Sequence, residues 1–361
     1  MSAVLDDLRR PVASWLARDI AALAQRLPRP VRLMEVCGSH TMAIARHGLR
    51  DLLPPEVRLV SGPGCPVCVT DPGYVDAAVD LASRGAALMT FGDLMRVPGS
   101  RTTLAKARAG GARVEVCYTP AQALERAVAE PQTPWVMLAI GFETTAAPLA
   151  AVARSAQRLP NLMLLTALKA VPPALDALVA DPALAIDGFL CPAHVSAIIG
   201  AAAYEPYARD YGRPCVVAGF EPLDILLGVR GLLEQLVAGD ARVENQYARV
   251  VRPDGNQAAR RLMAEVLHPV DAWWRGLGVL PGSGLALAEG YEHLDAAVRF
   301  DRPVTPGRTN PACRCGDVLK GLIEPRGCAL FGGPCTPDQP YGPCMVSSEG
   351  SCAAAWKGRA A

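Results

Sequence analysis

Three short segments carry residues whose types and spacing suit chemistry. Cys37-Gly38-Ser39-His40 separates a thiol from an imidazole by two residues, so both can reach one metal ion. Thiolate with imidazole suits zinc or iron without choosing between them, and a buried thiol beside a satisfied histidine is the plain alternative. Gly62-Pro63-Gly64-Cys65-Pro66-Val67-Cys68 holds a C-x-x-C element. That spacing permits a disulfide, a thiolate stabilised at a helix start, or two ligands to iron. A structural zinc site would want a second C-x-x-C, and the chain has none. Glu143, in Gly141-Phe142-Glu143-Thr144-Thr145, reads equally as a first-turn helix carboxylate, an orienting partner of His40, or a proton relay.

The tail is richer still. Of twelve cysteines, six fall between Cys313 and Cys352. Cys313, Cys328, Cys335 and Cys352 stand as C-x14-C-x6-C-x16-C, with Cys315 and Cys344 interleaved. Four thiolates suffice for a [4Fe–4S] cluster, and the remaining two form a candidate redox pair. Zinc is the competing reading, weakened by the absence of short C-x-x-C hooks here. Cys117, Cys191 and Cys215 lie at or near strand ends without apparent thiol partners and read as inert core thiols.

These residues need a scaffold, and the chain of 361 residues is long enough for two or three domains. Eight apolar or β-branched runs read as strands: 31–36, 57–60, 87–91, 113–117, 135–140, 162–166, 188–191 and 214–218. Helical patterns lie between them, including 74–83, 121–129, 145–157 and 223–237. Strand–helix alternation predicts an α/β fold with parallel sheets covered on both faces. A Pro-containing joint at 130–134 suggests two similar Rossmann-like domains, 31–130 and 131–239. Residues 240–361 read as a smaller helical and irregular domain, in which the glycines of 276–284 mark a loop. A helix over 4–27 is expected to pack on the body. In open parallel sheets ligands bind at the carboxyl ends of strands, which is where Cys37, Cys65, Cys68 and Glu143 fall. Leu190-Cys191-Pro192-Ala193-His194 weakly echoes the Cys37 segment, and carries no functional weight on that ground.

Composition excludes other classes. Lys+Arg of 36 against Asp+Glu of 35 leaves a net charge of +1, which argues against a nucleic-acid clamp. The longest run free of Asp, Glu, Lys and Arg, Gly188–Tyr204, is interrupted by Pro192 and His194, so no membrane span is expected. The N-terminus mixes Asp6, Asp7, Arg9 and Arg10 into an amphipathic pattern with no apolar signal core, which predicts a cytoplasmic protein. In that compartment clustered cysteines mean metal or redox chemistry before structural disulfides.

Taken in order, CGSHT at 37–41, GPGCPVC at 62–68, GFETT at 141–145, CRCGDVLKGL from Cys313 and CMVSSEGSCAA from Cys344 resemble the HypD family of [NiFe]-hydrogenase maturation factors. The resemblance covers about residues 31–356. It implies two α/β domains plus a [4Fe–4S] domain, and a role in assembling the Fe(CN)2CO group with a HypC-type chaperone and a HypE-type cyanide donor. Carried over by matching position, Cys37 contributes to an iron site shared with the chaperone, with His40 close by. Cys65 and Cys68 become the essential thiol pair. Cys313, Cys328, Cys335 and Cys352 become cluster ligands, and Cys315 with Cys344 an adjacent disulfide. The transient Fe(II) would carry CN and CO. A scaffold with redox capacity, not a turnover enzyme, is therefore expected. The alternative is an Fe–S-dependent thiol–disulfide oxidoreductase acting on a diffusible substrate, and a structural zinc protein is a third reading.

Overall fold

The computed structural model describes residues 14–358. Two sheets organise them. Strands β1 (Val31–Glu35), β2 (Val57–Ser61), β3 (Ala87–Thr90), β4 (Val114–Val116), β5 (Trp135–Gly141) and β6 (Leu162–Lys169) come first. They are followed by β7 (Gly188–Pro192), β8 (Cys215–Ala218), β9 (Val243–Asn245), β10 (Leu267–Trp274) and β11 (Gly278–Leu287). One sheet has the order β2-β1-β7-β8-β9 and is parallel throughout. The other has the order β10-β11-β6-β5-β3-β4, parallel from β6 to β4, with β10 and β11 added antiparallel. All eight sequence-read strands are present. Central strand β5, WVMLAIG, is buried along its whole length, as an unbroken apolar run in a doubly covered parallel sheet should be.

The partition of these strands differs from the sequence reading. The chain builds β1 and β2, leaves to build β3–β6 in the other sheet, and returns with β7–β9 to the first. The Glu130–Pro134 joint therefore lies inside one sheet, between β4 and β5, and does not separate two sheets. A short polar joint marks a surface connection, which occurs within a sheet as readily as between sheets. The region after 239 is likewise no separate helical unit. It supplies β9 to one sheet and the β10–β11 hairpin to the other, alongside the helix Gln257–Val266. The glycine-rich stretch is not a loop throughout: Gly276 and Gly278 shape the hairpin turn with φ of +84° and +80°, and 278–284 belong to β11.

Helices found at Pro72–Ser83, Ala121–Ala129, Glu143–Ala156 and Pro222–Ala238 match the periodic segments. Of the expected N-terminal helix, 14–24 is helical, and 4–13 lie outside the described residues. Its Leu16, Ile20, Leu23 and Ala24 join the core under β1 and β2, and Arg230 ion-pairs with Asp19. The tail is mostly irregular, with short helices Cys315–Leu319 and Ser351–Lys357; the latter packs on the helix Gly38–Arg46. Among the described residues no helix is long and apolar enough to cross a membrane.

Candidate functional site

Neighbouring strands bring the first two motifs together. Cys37 follows β1 and is the residue before the helix Gly38–Arg46, while Gly62–Cys68 follows β2. Gly38 N–H donates to the Gly64 carbonyl at 2.9 Å. The Cys37 thiol faces the N–H groups of Ser39 and His40, yet burial pushes it up to about 12, with Glu349 and Glu35 adding to the rise. Glu35, at the end of β1, is fully buried; Oε2 accepts from Cys37 N–H at 3.2 Å and Oε1 from Thr41 Oγ1 at 2.6 Å. Burial raises its carboxyl to about 7, against its hydrogen bonds to Thr41 and Ser61 and the charge of Arg50.

Cys65 and Cys68 are joined as a disulfide. Cys65 precedes the short helix Pro66–Val69, with Pro66 at its first position, and its Sγ accepts from Cys68 N–H at 3.1 Å. This helix packs on β5 and on the turn Pro343–Met345, so the C-x-x-C element touches the other sheet and the tail at once.

His40 is buried and turned elsewhere. Its Nε2 donates to the carbonyls of Gly219 at 2.8 Å and Ala218 at 3.1 Å, at the end of β8, and Nδ1 has no hydrogen-bond partner. Burial lowers the imidazole to about 4 despite those carbonyls, so it is neutral at physiological pH. The weak sequence echo has a spatial counterpart: β1 and β7 are adjacent, and His40 and His194 flank Phe220 with centroids 5.1 and 4.1 Å away. Glu143 opens the helix after β5 and is 3% exposed. Its Oε1 accepts from Val171 N–H at 2.9 Å and its Oε2 has no partner, so it does not orient His40. Burial raises it to about 7.

The tail cysteines gather at one place. Cys313, Cys315, Cys328, Cys335, Cys344 and Cys352 line a single small cavity with Phe331 and Met345. Burial raises the Cys352 thiol, and the neighbouring sulfurs of Cys315, Cys313, Cys335 and Cys328 raise it further. Sulfurs that oppose one another's ionisation need a cationic core to be thiolates together, which fits the donor set of a [4Fe–4S] cluster. Among the described residues no three His, Cys, Asp or Glu side chains converge on one ion. A cluster taking one thiolate per iron has ligands around a volume, and makes no such demand. Cys315 and Cys344 are free thiols with Sγ atoms 2.9 Å apart, so the pair implied as a disulfide stands here unbonded. Cys191 and Cys215, read as partnerless, are diagonal neighbours across β7 and β8: Cys215 pairs with Phe189, two residues before Cys191, so both side chains fall on one face and interact.

The segment after Cys344 returns to the first motif. Ser39 Oγ donates to Glu349 Oε1 at 2.9 Å, and Ser347 Oγ donates to Asp93 Oδ2 at 2.8 Å. A Cβ on Gly38 would fall 2.4 Å from Glu349 Cβ, so only glycine admits this approach.

Comparison with known proteins identifies the family. The HypD model, described as the hydrogenase formation hypA family, matches residues 12–359. The chain belongs to the HypD family. The hydrogenase maturation factor HypD of Azotobacter vinelandii is 49% identical over 95% of this chain and 93% of its own length. Those of Cupriavidus necator and Escherichia coli K12 are each 44% identical, over 94% and 97% of this chain and 93% and 96% of theirs. Within this HypD chain the sequence reading missed Glu35 and Glu349. The first has a visible signal, an acid inside an apolar strand; the second has only its place in the cysteine-rich tail.

Proposed function

We propose that this chain acts in hydrogenase maturation as the redox-capable scaffold on which the Fe(CN)2CO group of [NiFe] hydrogenases is assembled. Iron is the cargo, and Cys37 is its protein ligand, shared with a HypC-type small chaperone. A HypE-type partner delivers cyanide. An iron that must accept CN⁻ and CO needs a soft thiolate and open positions, which one cysteine at a strand end supplies. The buried carboxyl of Glu35 and the half-buried one of Glu349 disfavour a bare Cys37 thiolate and favour a divalent cation beside it, so iron binding would release the thiol proton.

One observation carries this reading. The Pro66–Val69 helix touches β5 and the Pro343–Met345 turn, while Gly64, just before the disulfide, touches Cys37. The segments bearing Cys37, Cys65–Cys68, Cys315/Cys344 and the four tail thiols thus adjoin one another in turn. Cys313, Cys328, Cys335 and Cys352 would hold a [4Fe–4S] cluster, which supplies electrons singly. Such free thiols belong in a reducing cytoplasm. A thiol–disulfide oxidoreductase with a diffusible substrate is less well supported, because Cys65 and Cys68 are 3% and 0% exposed.

Infrared spectroscopy of the protein isolated anaerobically with its small chaperone tests the proposal. CN and CO bands are expected for wild type and lost in Cys37→Ala. Turnover of a small disulfide with no such bands would favour the oxidoreductase instead.

A further inference from the structure

The turn from β10 to β11 reaches out of its sheet into the space between the two sulfur groups. Arg275, at its tip, is 7% exposed. Its backbone N–H donates to Val69 O at 2.8 Å and its Nη2 to Thr70 O at 3.3 Å, so it closes the C-terminal end of the helix carrying the Cys65–Cys68 disulfide. The next residue, Gly276, lies against the residue after Cys315; a Cβ there would fall 2.5 Å from Gly316 Cα. The turn is thus wedged between the disulfide helix and the tail helix Cys315–Leu319.

The guanidinium is always charged, and its Nε is buried with no hydrogen-bond partner. Its Nη2 donates to a backbone carbonyl oxygen, that of Thr70. A buried cation met only by carbonyl dipoles is poorly compensated, and calls for negative charge nearby. A thiolate-ligated cluster in the adjoining tail would supply it. Cys344 lies in the turn that packs on the disulfide helix and Cys315 directly precedes Gly316, so Arg275 is flanked by the two chain segments that carry this sulfur pair.

We propose that Arg275 is a positioning residue for the tail cluster: its guanidinium compensates the thiolate-ligated [4Fe–4S] group and raises its reduction potential, while its N–H groups fix the disulfide helix alongside. This rests on the cluster reading of the tail. Four thiolates on the oxidised core give a net charge of about −2, and one electron from an external donor takes it to about −3 with no bond made or broken. A fixed positive charge stabilises the more negative state more, so its removal must lower the potential.

The test is a redox titration of full-length, anaerobically reconstituted protein with dithionite, followed by electron paramagnetic resonance, with iron and sulfide content measured on each sample. Arg275→Gln is expected to weaken reduction by about tenfold, a drop of about 59 mV for one electron, and Arg275→Lys to stay near wild type. Should Arg275→Gln fail to fold, Gly276→Ala, which keeps the guanidinium but forces the turn off Gly316, is expected to lower the potential as well. A folded, cluster-bearing variant of either kind with the wild-type potential would overturn the role of Arg275. Arg275→Lys falling as far as Arg275→Gln would overturn its electrostatic basis. Wild-type protein that takes up no cluster would instead overturn the reading beneath it.

Discussion

Gly64 lies so close to Cys37 that a Cβ on it would stand 2.2 Å from the Cys37 backbone nitrogen. The loop after β2 therefore has no room for a side chain where it crosses the loop after β1, and the disulfide begins one residue later. Gly64→Ala is expected to destabilise the protein by about 1–3 kcal/mol, because the opposing atoms are backbone and cannot rotate away. It should also move Cys37 from Cys65 and impair maturation. A urea midpoint equal to wild type would show that the loops can part freely.

Cys37 and the tail cysteines are separable. Cys37→Ala is expected to abolish hydrogenase maturation while leaving the tail cluster intact, with unchanged sulfide content and Fe–S absorbance. Cys328→Ala is expected to lose the Fe–S charge-transfer absorbance near ~400 nm. Maturation surviving in the first variant, or unchanged absorbance in the second, would contradict these assignments.

Thiol counting checks the resting state of the sulfur series. With Cys65–Cys68 joined and ten cysteines free, metal-free protein denatured without reductant should titrate ten thiols, and twelve after reduction. Cys65→Ser should give eleven under both conditions. Twelve before reduction would mean that Cys65 and Cys68 rest as a dithiol.

Glu143 predicts a pH dependence. Its carboxyl is raised by burial from 4.5 to about 7, so between those values the folded state holds a proton that the unfolded state has released. Stability then falls as pH rises through this window, by something on the order of 2–4 kcal/mol for the whole shift. Glu143→Gln preserves an acceptor for Val171 N–H and should reduce the difference in unfolding free energy between pH 5 and pH 8. Part of the slope should remain, because Glu35 is raised to about 7 as well. An unchanged slope in Glu143→Gln would mean that this carboxyl does not titrate in the window.

Sequence alone determined the eight first strands, the four main helices and the loops bearing Cys37, Cys65, Cys68 and Glu143. Those features are local: apolar period, capping residues and Gly/Pro punctuation act within a few residues. It also singled out the tail cysteines, by count and spacing. Which strands share a sheet was decided only in three dimensions. β1 beside β7, and β10–β11 beside β6, depend on long-range burial that no local pattern encodes. The same holds for the partners of the chemical groups. His40 turns to Gly219, Glu143 to Val171, Glu349 to Ser39, and Arg275 sits between the disulfide helix and Cys315. Spacing along the chain states which side chains could meet; packing states which do, because each buried polar atom takes the partner its neighbours leave it.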